Sequence, residues 1–161
     1  MPSRVPEGLE RGWIVPIGGA ENKENDRRIL ERFVRCSGGA AADLVVIPTK
    51  VSGMDLQEVF RTYEVVQRAE RMLKRPIAAR VLLTQMSPLG SRVAVHARHE
   101  IQQANIPVMH TEIIARAAYQ SMHFTGATPS HPSGDPKAAR EIQAVLVEIV
   151  EILAQQEQAA A

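Results

Sequence analysis

The chain has 161 residues, of which 45% are hydrophobic and 23% charged, the balance of an ordinary globular domain. Nineteen Lys and Arg against eighteen Asp and Glu give +1, too little net charge to argue by itself for nucleic acid or an acidic substrate. A single cysteine, Cys36, excludes an internal disulfide framework, and aromatics at 4% argue against a stacking platform for single strands.

Residues 1–12 are polar, contain Pro2 and Pro6, and predict a flexible arm with no apolar core of a secretory signal. Trp13 to Ile17 is a short apolar run ending at Gly18-Gly19, a buried-strand pattern followed by a turn. Asn22 to Arg35 carries an apolar stripe of Ile29, Leu30, Phe33 and Val34, and predicts a helix that Gly38-Gly39 ends. Asp43 to Pro48 is a second strand pattern. Asp55 is placed to cap a long helix to about Lys74, with Leu56, Val59, Phe60, Tyr63 and Val66 at helical spacing and Pro76 as the stop. Ile77 to Thr84 predicts a third strand, and Ser91 caps a helix to about Ala104. Pro107 to Met109 predicts a fourth strand, Glu112 to Met122 a short helix, and Thr125 to Asp135 a loop. Pro136 suits the first turn of a last helix to about Leu153, with a frayed tail at 155–161.

Strands alternating with helices predict one three-layer α/β domain over 13–154. Its mostly parallel four-stranded sheet would have helices on both faces, in a Rossmann-like or P-loop-like arrangement. No apolar run approaches the roughly 20 residues of a membrane span, so the expectation is a cytoplasmic protein without membrane contact.

Two stretches resemble known families. WIVPIGGAENKEND, ILERFVRCSGG and DLVVIPT, within about residues 13–50, resemble the opening of the cyanophycinases, serine peptidases of α/β fold. ADLVVIPTKVSGMDLQEV, RPIAARVLLTQM, IPVMHTEIIARAAYQSMHFTGATP and DPKAAREI, within about 40–153, resemble the second half of ParA-type partition ATPases. The resemblances meet at DLVVIPT, where both families have a strand ending in Ile-Pro, so the chain looks like a chimera or fusion. The Ser-Ala-Gly elbow of the peptidases is absent, as is the magnesium-binding strand that precedes Ala-Asp-Leu-Val in the ATPases.

Gly18, Gly19 and Lys23 occupy the position of a phosphate loop between strand and helix, and are the candidate ligand-binding residues. The full Gly-x-x-x-x-Gly-Lys-Ser/Thr pattern is missing. Glu24 follows Lys23 where the magnesium hydroxyl would stand, and Glu21 and Asp26 would repel a triphosphate. The simpler reading is a tight turn. No catalytic residue and no cofactor is therefore expected, ATP and magnesium included, and the chain leans towards binding rather than turnover. His96, His99 and Glu100 share one helix but fall short of the three or four ligands that zinc takes, so no metal site is expected. His110, His123 and His131 fall near strand ends or loops without an accompanying serine elbow. Partition ATPases bind DNA non-specifically through basic residues of their later half. The resemblance thus makes Arg92, Arg98, Arg116 and Arg140 candidate DNA contacts, against the alternative of a solvated mixed-charge surface.

The resulting expectation is a ParA-like domain without a nucleotide-binding loop. It would bind non-catalytically, to itself as a homo-oligomer or weakly and non-specifically to DNA. The alternatives are a cyanophycinase-like peptidase relic, or a recombined chimera with no activity of its own.

Overall fold

The computed structural model describes residues 43–131 and 134–160. The expected arm, the first strand, the first helix and Cys36, together with Gly18, Gly19 and Lys23, lie outside the described residues. Within them the order is β1 (Leu44–Thr49), α1 (Gly53–Leu73), β2 (Ala78–Leu83), α2 (Arg92–Gln103), α3 (Ala117–Thr125) and α4 (Pro136–Ala160).

β1 and β2 pair in parallel, with Leu44 opposite Ala78 and Thr49 opposite Leu83. Pro48 costs this pairing nothing. The Thr49 carbonyl turns towards β2 and accepts the Thr84 N–H at 2.7 Å. Its neighbour Pro48 therefore turns its donor-less nitrogen to the other edge, where a proline is tolerated in a strand.

The parallel pair requires a crossover, and α1 supplies it. Its start differs from the expected one. Ser52, not Asp55, is the N-cap: the Ser52 hydroxyl accepts the Asp55 N–H at 3.2 Å and itself donates to the Asp55 carboxylate at 2.5 Å. Asp55 sits in the first turn, where its charge also suits the positive end of the helix dipole. Leu56, Val59, Val66 and Ala69 bury one stripe of α1 over the sheet. Lys74 closes the helix in the left-handed region, at φ 51°, with its N–H on the Glu70 carbonyl. That conformation favours glycine, and a lysine holds it at a cost.

Ser91 caps α2 as expected, accepting the Val93 N–H at 3.2 Å. Ala97 and Ile101, one turn apart, are its buried contacts. The core joins them to Val45, Ile47, Leu56, Val59, Val81, Leu83 and Met86.

The sheet departs from the four strands expected. Two strands form among the described residues, and the predicted strand at Pro107–Met109 is reduced to a parallel bridge between Val81 and Val108. A second bridge joins Met86 to Ile114. Between the bridges the chain leaves the ladder, so regular pairing with β2 lasts only for the Val81 N–H to Pro107 carbonyl and Met109 N–H to Val81 carbonyl bonds, at 2.9 and 2.8 Å.

The same segment explains why the helix expected from Glu112 begins only at Ala117. The Ile113 N–H goes to Leu83, and Ile113 and Ala115 bracket Met86 in extended pairing, at 2.9–3.0 Å. Edge pairing competes there with the helical period and wins. α3 then ends at Gly126, φ 68°, one of the two glycines among the described residues that need positive φ. α4 begins at Pro136 as expected but runs on to Ala160, through the tail expected to fray.

Two outcomes follow for thermal melts followed by circular dichroism. Leu83→Ala, at a fully buried position, is expected to destabilise by about 2–5 kcal/mol with one cooperative transition retained. Lys74→Gly is expected to raise the melting temperature, because relief of the left-handed backbone outweighs the added freedom of the unfolded chain.

Candidate functional site

Two surfaces merit attention, a cleft at the strand ends and the outer helix α4. The cleft has a volume of about 240 Å3 and lies where β1 and β2 end and α1 begins, lined by Pro48, Thr49, Lys50, Asp55, Glu58, Thr62 and Thr84 among others. The carboxyl ends of parallel strands are where α/β sheets usually bind ligands. Its polar groups, however, are occupied locally. The Thr84 hydroxyl donates to the Thr49 carbonyl at 3.0 Å, the Thr49 hydroxyl to the Lys50 carbonyl at 3.1 Å and the Thr62 hydroxyl to the Glu58 carbonyl at 2.6 Å. Asp55 is held by Ser52, and Glu58 accepts from Arg61 at 2.7 Å. Lys50, exposed at the rim, is the cationic side chain of this lining.

Among the described residues no group of three or more His, Cys, Asp or Glu could hold a metal ion. His96 stands 3.9 Å from Glu100, and His99 bonds Gln103 at 2.9 Å.

α4 is fastened to the extended segment beside β2 by two carboxylates on one face. Glu148 accepts the N–H groups of His110 and Thr111 at 2.6 and 2.8 Å. Glu141, seven residues earlier, accepts the Ile114 N–H at 3.3 Å and the Arg116 guanidinium at 2.6 and 2.8 Å. It also accepts the Tyr119 hydroxyl at 3.0 Å, and that hydroxyl reaches the Ala138 carbonyl at 3.1 Å. Burial and the bond to Glu141 push the Tyr119 phenol well above its ordinary value. The same carboxylate's hydrogen bond raises the Arg116 guanidinium further. Burial alone would push Glu148 up, but the N–H groups of Thr111 and His110 together outweigh it and hold the carboxyl below its usual range. At the start of the helix the Asp135 carboxylate accepts the Lys137 N–H at 2.8 Å, which lowers its pKa despite some desolvation.

These contacts place the candidate arginines. Arg116 is held by Glu141, and Arg98 pairs with Glu112. Both serve to fix the extended segment and its flanks. Arg92 is exposed at the start of α2, and Arg140 is exposed in the first turn of α4, its Nε on the Pro136 carbonyl at 3.2 Å. The four arginines thus divide into two held by carboxylates and two facing solvent.

The sequence reading missed the outward face of α4. Ile142, Leu146 and Val150, at successive i, i+4 positions, are 43%, 43% and 48% exposed. Helices with a single docked face keep charge on the other side. The signal was present in the pattern, since 138–153 carries two apolar stripes where docking needs one.

No family model matches the chain. A curated cyanophycinase from Geminocystis herdmanii (strain PCC 6308) is 44% identical over 39 residues, 24% of this chain and 14% of the relative. A solved structure of apo McdA from Cyanthece, a ParA-type ATPase, superposes with a TM-score of 0.57 at 20% identity. That match covers 69% of this chain and 45% of the McdA chain. The chain therefore has a ParA-type α/β fold, and it spans less than half the length of that solved chain. No helix among the described residues is long and apolar enough to cross a membrane.

The clamp on α4 has measurable consequences. Glu141→Ala leaves the partly buried Arg116 and Tyr119 without their shared acceptor and is expected to cost about 2 kcal/mol. For pH, a depressed carboxylate stabilises the fold fully above the ordinary Glu range, about 4.3. That contribution is lost as pH falls through the depressed folded value. Stability measured by urea titration is thus expected to fall in acid, and Glu148→Gln is expected to make the fall shallower.

Proposed function

We propose that this chain is a ParA-like α/β module that works by association, with a second copy of itself, rather than by turnover. The observation that carries this reading is the apolar outward face of α4, uncovered among the described residues although the helix is already anchored by its opposite side. Contiguous exposed apolar surface of this kind marks association sites. The likeness to apo McdA supports the fold half of the reading. The cleft supports the non-catalytic half, because its threonine hydroxyls donate to main-chain carbonyls and its carboxylates accept from Ser52 and Arg61, rather than converging on a substrate.

The cyanophycinase match of 39 residues supports a further element: the chain joins a cyanophycinase-like opening to a ParA-like remainder. Neither half then brings a complete active site. The Gly18-Gly19 turn with Lys23 lacks the phosphate-loop pattern, and no serine stands in an elbow context.

Weak, sequence-independent DNA contact belongs to the same reading through Arg92 and Arg140, since Arg98 and Arg116 already satisfy carboxylates. Such contact depends on phosphate neutralisation and falls steeply with salt.

Sedimentation velocity across a wide concentration range tests the association. A sedimentation coefficient that rises with concentration is expected, and a strict monomer throughout overturns the proposal. Phosphate release and cleavage of an Asp-Arg dipeptide polymer are expected to stay at background. Turnover that Lys23→Ala abolishes would make Gly18 to Lys23 a working site and overturn the non-catalytic half.

A further inference from the structure

We infer that residues 13–17 of the chain add to the open edge of β1 as a parallel strand, with Val15 opposite Val45 and Ile17 opposite Ile47. This edge is a surface other than α4, and the inference does not rest on the association reading.

The edge is read from β1 itself. The Thr49 carbonyl accepts from Thr84, so by the alternation of a strand Val45, Ile47 and Thr49 turn their backbone groups to β2. Leu44, Val46 and Pro48 turn theirs the other way, where nothing among the described residues receives them. Leu44 and Val46 are half-buried all the same. Backbone donors and acceptors in such a position call for partners, and an open edge is a template for one more strand. Parallel strands, moreover, ordinarily lie inside a sheet.

The length and pattern of the preceding chain name the occupant. β1 begins at Leu44, and Trp13 to Ile17 is the apolar run of strand length before it. A parallel neighbour needs a crossover of about a dozen residues or more. Residues 18–42 supply that length and carry the helical stripe Ile29, Leu30, Phe33 and Val34. The order strand, crossover helix, parallel strand is the one that β1, α1 and β2 already follow.

Pro16 selects the side that faces β1. With Trp13, Val15 and Ile17 turned to β1, every facing residue keeps its N–H, and Pro16 turns its missing donor outward, where proline is tolerated. A slip of one residue would aim Pro16 at β1 and turn the side chains of Val15 and Ile17 to the opposite face.

Pro48 then selects the register. With Val15 opposite Val45, the Val15 N–H meets the Leu44 carbonyl, the Val46 N–H meets the Val15 carbonyl, and the Ile17 N–H meets the Val46 carbonyl. The donor that Pro48 lacks falls due only at the last position, where Gly18-Gly19 turns the chain away. Moving the strand two residues towards the carboxyl end of β1 brings that gap opposite Val15, into the middle of the ladder. Moving it two residues the other way leaves the Val46 carbonyl to the Gly18-Gly19 turn. In the register inferred, Val15 and Ile17 continue the buried row of Val45 and Ile47, and Gly18-Gly19 comes level with Pro48 and Thr49 at the cleft.

Amide hydrogen exchange of the full chain, followed by NMR at low protein concentration, tests the pairing. The Val15 and Val46 amides are expected to exchange at least about a hundredfold more slowly than in an unstructured peptide, with Ile14 remaining fast. Nuclear Overhauser contacts are expected between the backbone of Val15 and that of Val45 and Val46. Val15→Pro is expected to return Val46 to the unprotected rate. Val81, whose N–H is held by the Pro107 carbonyl, is expected to stay protected in that variant and so to report an intact fold. The unmodified chain decides the question even where Val15→Pro does not fold. A fast Val46 amide there overturns the inference, as does protection of Ile14 in place of Val15. Contacts to Val46 that appear only between differently labelled copies would show a second copy on the edge and overturn it as well. A strict monomer in sedimentation overturns the association reading and leaves this pairing standing.

Discussion

Backbone N–H groups at the rim of a short sheet must find acceptors, and here the acceptors come from a helix 27–38 residues further along the chain. β2 satisfies its inner edge on β1 and its outer edge only in part, through Pro107, Met109 and Ile113. His110, Thr111 and Ile114 are left with donors that no strand takes. Glu148 and Glu141 take them. This is why α4 must lie where it does, and why the extended segment need not be a regular strand to be well held. Arg116, Arg98 and Tyr119 then find their places around the same segment, two of them on Glu141 itself.

That constraint also separates what the sequence reveals from what it conceals. β1, β2, α1 and α2 were legible, because each is announced by signals within its own residues: β-branched runs, helical spacing, Ser91 before Arg92, Pro76 after the first helix. Where two local signals competed, at Ser52 and Asp55, the serine took the cap and the aspartate the first turn, the division that a Ser-x-x-acid pattern favours. The stretch from Pro107 to Arg116 was not legible. Its helical period is real, but extended pairing with Leu83 and Met86 and the reach of Glu141 and Glu148 are long-range facts with no mark in the local pattern.

The candidate site divides the same way. Charge and order in the chain single out Arg92, Arg98, Arg116 and Arg140 alike. Only the fold reveals that partners 14 and 25 residues away hold Arg98 and Arg116. The exposed stripe of α4 was legible in principle, because a helix with apolar residues at both 138, 145, 152 and 142, 146, 150 has more apolar surface than one contact can cover. Deciding which stripe stays outside required knowing that the glutamates at 141 and 148 face inward, the reverse of the usual expectation for acidic residues on a helix.

That reversal has a consequence for the surface. Glutamates that turn inward to cap a sheet rim are carboxylates withdrawn from the outside of the helix. The outward side of α4 is then left with Ile142, Leu146, Val147 and Val150, each 43–48% exposed, beside Arg140, Gln143 and Glu151. The helix docks through these carboxylates together with buried Ala138 and Ile152, and it also turns apolar side chains to solvent, which a helix with one docked face does not need. With a formal net charge of +1, two copies carry little mutual repulsion to oppose the contact of such faces. Burial of apolar area is insensitive to screening at ordinary ionic strength, so association through such a face would keep its strength in salt that weakens surface ion pairs.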